Sequence, residues 1–158
     1  MKSLYVLFSF LFVGLILSGC DSNDDGDDFE LPLPQVFNEA DYTVLDSGLR
    51  YIDFVEGDTT MAPAESGTSV LVHYSGWLEN GFMFDSSVFF AGRPFNFLLG
   101  RGQVIRGWDE GIVGMYPGGQ RQLVIPPALA YGQIPRQNIP ANSTLIFEVQ
   151  YIGVNNPQ

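Results

Sequence analysis

The chain is poor in the side chains that most reaction mechanisms need. It has one cysteine, Cys20, and one histidine, His73. A single cysteine excludes an internal disulfide and any cysteine-rich metal site. A single histidine leaves no His-based metal cluster and no Ser–His relay to build on. Positive charge is equally scarce, with seven Lys and Arg against eighteen Asp and Glu and a net charge of −11. The only lysine is Lys2. No basic stripe exists for nucleic acid to dock on, so nucleic acid is excluded as a partner. Carboxylate pairs at glycosidase spacing, a phosphate-cradling loop and a glycine-rich dinucleotide turn are missing as well. Nothing in the chain calls for a metal or a cofactor.

What is present divides the chain into three parts. Lys2 precedes an apolar run from Leu4 to Leu17, and small residues follow at Ser18 and Gly19. This is the pattern of a secretion signal over residues 1–19, too short to read as a spanning helix. The lone Cys20 falls directly after Leu17-Ser18-Gly19. That order resembles the bacterial lipobox, in which the cysteine is lipidated and begins the mature chain. Lipid membrane, engaged through Cys20, is therefore an expected partner, at an inner or outer membrane with the domain facing the periplasm or the cell surface. Residues 21–65 carry thirteen of the eighteen acidic side chains, and six of them lie within Asp21–Glu30. Such a segment buries too little to offset chain entropy, so residues 20–41 are expected to form an acidic disordered tether.

From residue 42 to 158 the pattern is that of a folded domain. Residues 49–54 suggest a strand ended by Gly57, and Ser69 to Tyr74 a β-rich run. Asn80-Gly81 marks a turn. Residues 95–99 and 120–125 are further strand candidates. Leu145, Phe147, Val149 and Tyr151 alternate with polar or smaller neighbours in the clearest strand of the chain. One helix is expected, over Gln103–Met115, where Val104, Ile105, Trp108, Ile112 and Met115 recur at helical spacing. Gly107, Gly111 and Gly114 weaken it, so packing must hold it. The fold class is α+β: an antiparallel β-sheet with one short α-helix on its face. Aromatics make up 14% of the chain. An aromatic cleft needing no nucleophile suits this composition, although aromatic residues are more commonly core.

Between Val70 and Val154 the sequence resembles the FKBP family of peptidyl-prolyl cis–trans isomerases. The blocks that carry the resemblance stand in order: Val72-His73-Tyr74-Ser75-Gly76, Phe84-Asp85-Ser86-Ser87, Gly92-Arg93-Pro94, Val104-Ile105-Arg106-Gly107-Trp108, Gly118-Gly119-Gln120-Arg121, Leu129-Ala130-Tyr131-Gly132 and Ser143-Thr144-Leu145 with Phe147. Residues 43–57 are similar to the opening strand of bacterial periplasmic members. The resemblance implies a half-barrel sheet wrapped around the short helix. It implies catalytic roles for Tyr74, Phe84, Asp85, Ile105, Trp108, Tyr131 and Phe147, with Phe95, Val104 and Ile139 binding substrate. Trp108 would form the cleft floor, and the Ile105 N–H and Tyr131 hydroxyl would donate to substrate carbonyls. Asp85 either polarises the rotating carbonyl or caps a turn. His73 reads as a packed strand residue. The implied partners are proline-containing envelope proteins during folding, with macrolide inhibitors as further ligands.

Three departures from the family pattern stand out, one of them Leu129 in place of a frequent Tyr. Val88-Phe89-Phe90-Ala91 occupies the place where members often carry a basic residue that pairs with the aspartate. Residues 133–138 are shorter than the common form and lack its histidine. The competing readings are a peptide-binding or chaperone module without turnover, and a structural envelope lipoprotein.

Overall fold

The computed structural model describes residues 31–154. The expected signal segment 1–19, Cys20 and the acidic stretch 21–30 lie outside the described residues. Seven strands form one antiparallel sheet: β1 (Thr43–Val44), β2 (Arg50–Val55), β3 (Ser69–Leu78), β4 (Met83–Ser86), β5 (Phe95–Leu98), β6 (Gln120–Ile125) and β7 (Leu145–Val154). Their order is β1-β2-β6-β7-β3-β4, with β5 also paired to β3. One edge of β3 is thus shared. Val72 pairs with Phe95 of β5, and Ser75 pairs with Ser86 of β4. The short gap between them falls at His73 and Tyr74.

Strand alternation decides what each face buries. On β7, Leu145, Phe147, Val149 and Tyr151 are all buried, as the sequence pattern predicts. Together with Val70, Val72, Leu123 and Ile125 they line the inner face, and the one α-helix, α1 (Arg106–Gly111), packs against it. The α+β half-barrel is therefore observed. The helix is shorter than the Gln103–Met115 expected. Ile105 is still extended, with φ −61° and ψ 148°. At the other end Gly114 turns at φ +82°, and its N–H goes to the Ala64 carbonyl instead of continuing the helix. Val104 and Met115 keep helical spacing in sequence, but they pack from loops.

The glycines that weaken α1 as an isolated helix are what let it dock. A Cβ on Gly107 would come within 2.4 Å of Ile125 Cγ2, and one on Gly111 within 2.7 Å of Leu123 Cδ2. Polar ties fix the helix further. Asp109 accepts from the N–H groups of Gly100 and Gly102 at 2.7 and 2.9 Å. Buried Arg121 donates to the carbonyls of Gly111 and Val113, while Asp53 takes its other donors at 2.6 and 2.8 Å.

The expectation of a free tether over residues 20–41 is corrected for residues 31–41. This stretch is a strap across the outer face of the sheet. The Trp77 indole donates to the Pro32 carbonyl at 2.7 Å. Gln35 donates its N–H to Glu148 at 2.6 Å and accepts from Gln122 Nε2 at 2.8 Å. Phe37 stacks on Phe54 at 5.6 Å, and Glu39 pairs with Arg50. Trp77, Glu148, Gln122 and Phe54 belong to β3, β7, β6 and β2, so the strap crosses four strands. It stays docked because it covers Trp77, which is 2% exposed, on the face that the core does not reach.

Candidate active site

The cleft opens at the inner face where α1 meets β3 and β7, with a volume of about 300 Å³. Tyr74, Phe84, Asp85, Phe95, Val104, Ile105, Trp108, Tyr131 and Phe147 line it, together with Gln103. Nine of the ten residues expected at the site are therefore brought together. Ile139 is the exception. It is buried at 6% exposure within the core cluster, and its backbone pairs with Arg136, so it supports the cleft wall without lining it. Gln103 was missed. Its side-chain oxygen accepts from the Leu98 N–H at 2.8 Å, closing the loop between β5 and α1. Nothing in its residue type signals that role.

The floor is Trp108, 3% exposed, set by the docked helix. Tyr74 and Phe147 meet it edge-on at 5.0 and 5.2 Å, and Phe95 at 6.2 Å. Phe84 meets Phe147 edge-on at 5.5 Å. These T-shaped contacts are the favoured geometry of aromatic pairs and hold each ring against its neighbour. The Trp108 indole N–H is buried and, among the described residues, has no hydrogen-bond partner.

The polar groups are few, and their states are constrained. The Tyr74 hydroxyl donates to Asp85 Oδ2 at 2.7 Å. Burial, and then this bond, push the Tyr74 pKa well above the ordinary phenol range, so the hydroxyl keeps its proton. Asp85 is exposed and, among the described residues, has no salt bridge; Tyr74 stands where a basic partner was absent from the sequence. The Ile105 carbonyl accepts from the Trp108 and Asp109 N–H groups. Its own N–H has no acceptor among the described residues, nor does the Tyr131 hydroxyl have a partner there. Arg136 lies over the Tyr131 ring at 5.4 Å. His73 is outside the cleft, with its Nδ1 3.1 Å from Ser87 Oγ.

Such a cleft can hold an apolar ring on Trp108 and offer two donors, unpaired among the described residues, to carbonyls. It contains no residue placed to attack a bond. A family profile described as "FKBP-type peptidyl-prolyl cis-trans isomerase" matches residues 61–152. The chain is 47% identical over 112 residues to "FK506-binding protein 2" of Dictyostelium discoideum, covering 70% of this chain and 80% of that protein. It is 43% identical over 113 residues to a "Peptidyl-prolyl cis-trans isomerase" of Saccharomyces cerevisiae, covering 72% of this chain and 26% of that much longer protein. Among solved structures it resembles AtFKBP13, with a TM-score of 0.65 and 42% identity over 72% of this chain and 98% of the other. It also resembles FkpA from Escherichia coli, with a TM-score of 0.67 and 38% identity over 74% of this chain and 53% of the other.

Proposed function

The chain belongs to the FKBP-type peptidyl-prolyl cis–trans isomerase family, and from that premise we propose that it accelerates X–Pro rotation in folding proteins of a bacterial cell envelope, held to the membrane through a lipidated Cys20. The isomerase activity follows from the family. The envelope setting rests on the signal-like segment and on the position of Cys20. The observation that carries the site is the buried Trp108 floor walled by Tyr74, Phe84, Phe95 and Phe147.

The chemistry needs little more. Amide resonance sets a rotation barrier of about 18–20 kcal/mol. The twisted amide at the barrier has lost that resonance and its charge separation. A dry aromatic cleft therefore narrows the gap between the twisted and the planar amide, whereas water, which solvates the more polar planar form, widens it. The proline ring rests on Trp108 while the preceding carbonyl swings. The Ile105 N–H and the Tyr131 hydroxyl, unpaired among the described residues, take substrate carbonyls and fix the chain on either side of the rotating bond. Tyr74, whose hydroxyl burial and Asp85 hold in its protonated form, keeps the Asp85 carboxyl group at the rim beside the moving carbonyl. The same apolar floor suits a macrolide ring, in keeping with the names of the FK506-binding relatives.

The test has two arms. The full chain, expressed with its signal segment in a bacterium, should enter the membrane fraction and accelerate cis-to-trans conversion of a proline tetrapeptide in a protease-coupled assay, with loss of rate on adding FK506. Cys20→Ala should release it or leave it unprocessed while keeping the rate. A lipid-labelled Cys20→Ala chain would overturn the anchor, and a folded chain without turnover would overturn the enzyme in favour of a binding module.

A further inference from the structure

The turn that follows the Phe84-Asp85-Ser86 strand is built to display apolar side chains. Ser87–Ala91 forms a single π-helical turn. Ser86 Oγ accepts from the Val88 and Phe89 N–H groups at 3.2 Å each, and Gly92 closes the turn in the left-handed region. Ser87 Oγ accepts from the Tyr74 N–H at 2.8 Å, which pins the turn to β3. Both serines are buried, at 0% and 2% exposure, so the polar residues face in and the apolar ones face out. Val88 is 47% exposed and Phe90 57%. Collapse onto the sheet is not available to them, because the capped backbone fixes their direction. Exposed apolar clusters held in this way mark contact surfaces.

Strand register says what this one adjoins. β5 ends its pairing at Val72↔Phe95, and β4 begins at Ser75↔Ser86. The turn fills the notch between them at Tyr74. Phe95, 40% exposed, lines the cleft on one side of the notch, and Asp85 lines it on the other. The turn thus stands in the chain between two residues that line the cleft. Residues two to four positions from a bound proline reach roughly 7–14 Å along an extended chain, far enough to leave the cleft and lie on this rim.

We propose that the Ser87–Ala91 turn is a specificity surface that engages apolar side chains flanking the proline in unfolded client chains, through Val88 and Phe90. The proposal rests on the cleft reading above and goes beyond it in naming the client class: segments whose proline lies within a few residues of Leu, Ile or Phe. Such segments are exposed before folding and buried afterwards, so the rim selects unfolded chains over native surface loops. The turn itself carries no charge, and Arg93 is the only cation in residues 79–100, so a lipid headgroup finds little to hold there.

The test uses the full chain in phosphatidylcholine vesicles and three substrates: a proline tetrapeptide, and two peptides of about twelve residues with one central proline. One long peptide carries Leu and Phe two to four residues from the proline, and the other carries Ser there. We expect wild type to turn over the apolar peptide about tenfold better, through KM. Val88→Ser with Phe90→Ser should reduce that preference to about twofold or less and leave tetrapeptide kcat/KM within about twofold. Equal turnover of the two long peptides by wild type, or an unchanged preference in the double variant, overturns the proposal. An equal loss on the tetrapeptide also overturns it, because the turn would then merely prop the cleft. Wild type failing on the tetrapeptide refutes the cleft reading itself, a distinct outcome. If Phe90→Trp emission is quenched by brominated lipid and no peptide preference exists, the turn is a membrane contact and the proposal falls.

Discussion

Gly76 is the most sensitive point from which to test the cleft without touching a residue that contacts substrate. It lies on β3 between Ser75 and Trp77, directly beneath two cleft rings. A Cβ placed there would lie 2.6 Å from Phe147 Cε1 and 2.8 Å from Phe84 Cζ, where ordinary contact starts at 3.4 Å. The Gly76 φ is not in the left-handed region, so alanine adds no backbone strain and only the rings must yield. Restoring contact needs a displacement of about 0.8 Å, and Phe147 cannot retreat freely because it abuts Trp108. Overpacking of this kind costs about 1–3 kcal/mol, or about 4–20 °C in Tm for a domain of this size. A shift approaching 1 Å in the wall that faces the rotating bond should lower kcat/KM by about ten- to a hundredfold. Gly119→Ala is the control. It crowds the Tyr116 and Glu56 carbonyls, which lie off the cleft and off the helix that carries Trp108, so it should cost stability while turnover falls less than about threefold. Melting curves and the protease-coupled peptide assay on both variants decide the matter. Gly76→Ala that is destabilised yet turns over at the full rate would refute the assignment of Phe84 and Phe147 to the catalytic wall.

Three further outcomes follow from the same geometry. Tyr131→Phe removes one free donor and no packing, so kcat/KM should fall about fivefold, the equivalent of about 1 kcal/mol, with Tm unchanged. Trp77→Phe keeps an aromatic ring under the strap but deletes its hydrogen bond to Pro32; denaturant unfolding should show a loss of about 1–2 kcal/mol, with peptide turnover within about twofold. Burial of Glu148 beside the strap raises its pKa despite the hydrogen bonds from Gln35 and Gln122, so the folded state holds that proton more tightly than the unfolded one. Stability should therefore be lost as pH climbs from the ordinary carboxylate range through the raised value. Glu148→Gln should be the more stable protein at pH 7, with the difference vanishing in acid, and a wild type favoured at pH 7 would reverse the sign.

The parts of this fold that were legible in the sequence are those where one face of an element is buried and the other is not. The β7 alternation is an example: Leu145, Phe147, Val149 and Tyr151 are all buried. The cleft was legible for a different reason, since Trp108, Tyr74 and their neighbours stand in ordered blocks that resemble a known family. Two features escaped for physical reasons. Val104 and Met115 extend the helical spacing of α1 by accident, because a loop residue packing on the same core leaves the same mark in a periodicity as a helical one. The strap reads as a linker because the prolines of Leu31-Pro32-Leu33-Pro34 lack the N–H groups that a helix or a β-ladder needs. Its docking depends on backbone carbonyls and amides meeting Trp77, Gln122 and Glu148, and no pattern of its own residue types announces that.

The strap also determines on which side of the domain the chain enters relative to the cleft. Register places Trp77, Glu148 and Gln122 on one face of the sheet, and Tyr74, Gly76 and Phe147 on the other. The strap crosses the first face and the cleft opens on the second, so the chain enters the domain at Leu31 behind the sheet as seen from the substrate. A strap held over four strands fixes that point of entry on the face opposite the cleft. The contacts that hold it, chiefly Trp77 with Pro32 and Gln35 with Glu148 and Gln122, touch no cleft residue. Orientation and catalysis therefore rest on separate sets of side chains on one sheet, and a variant that frees the strap should alter access to large clients while leaving short peptides unaffected.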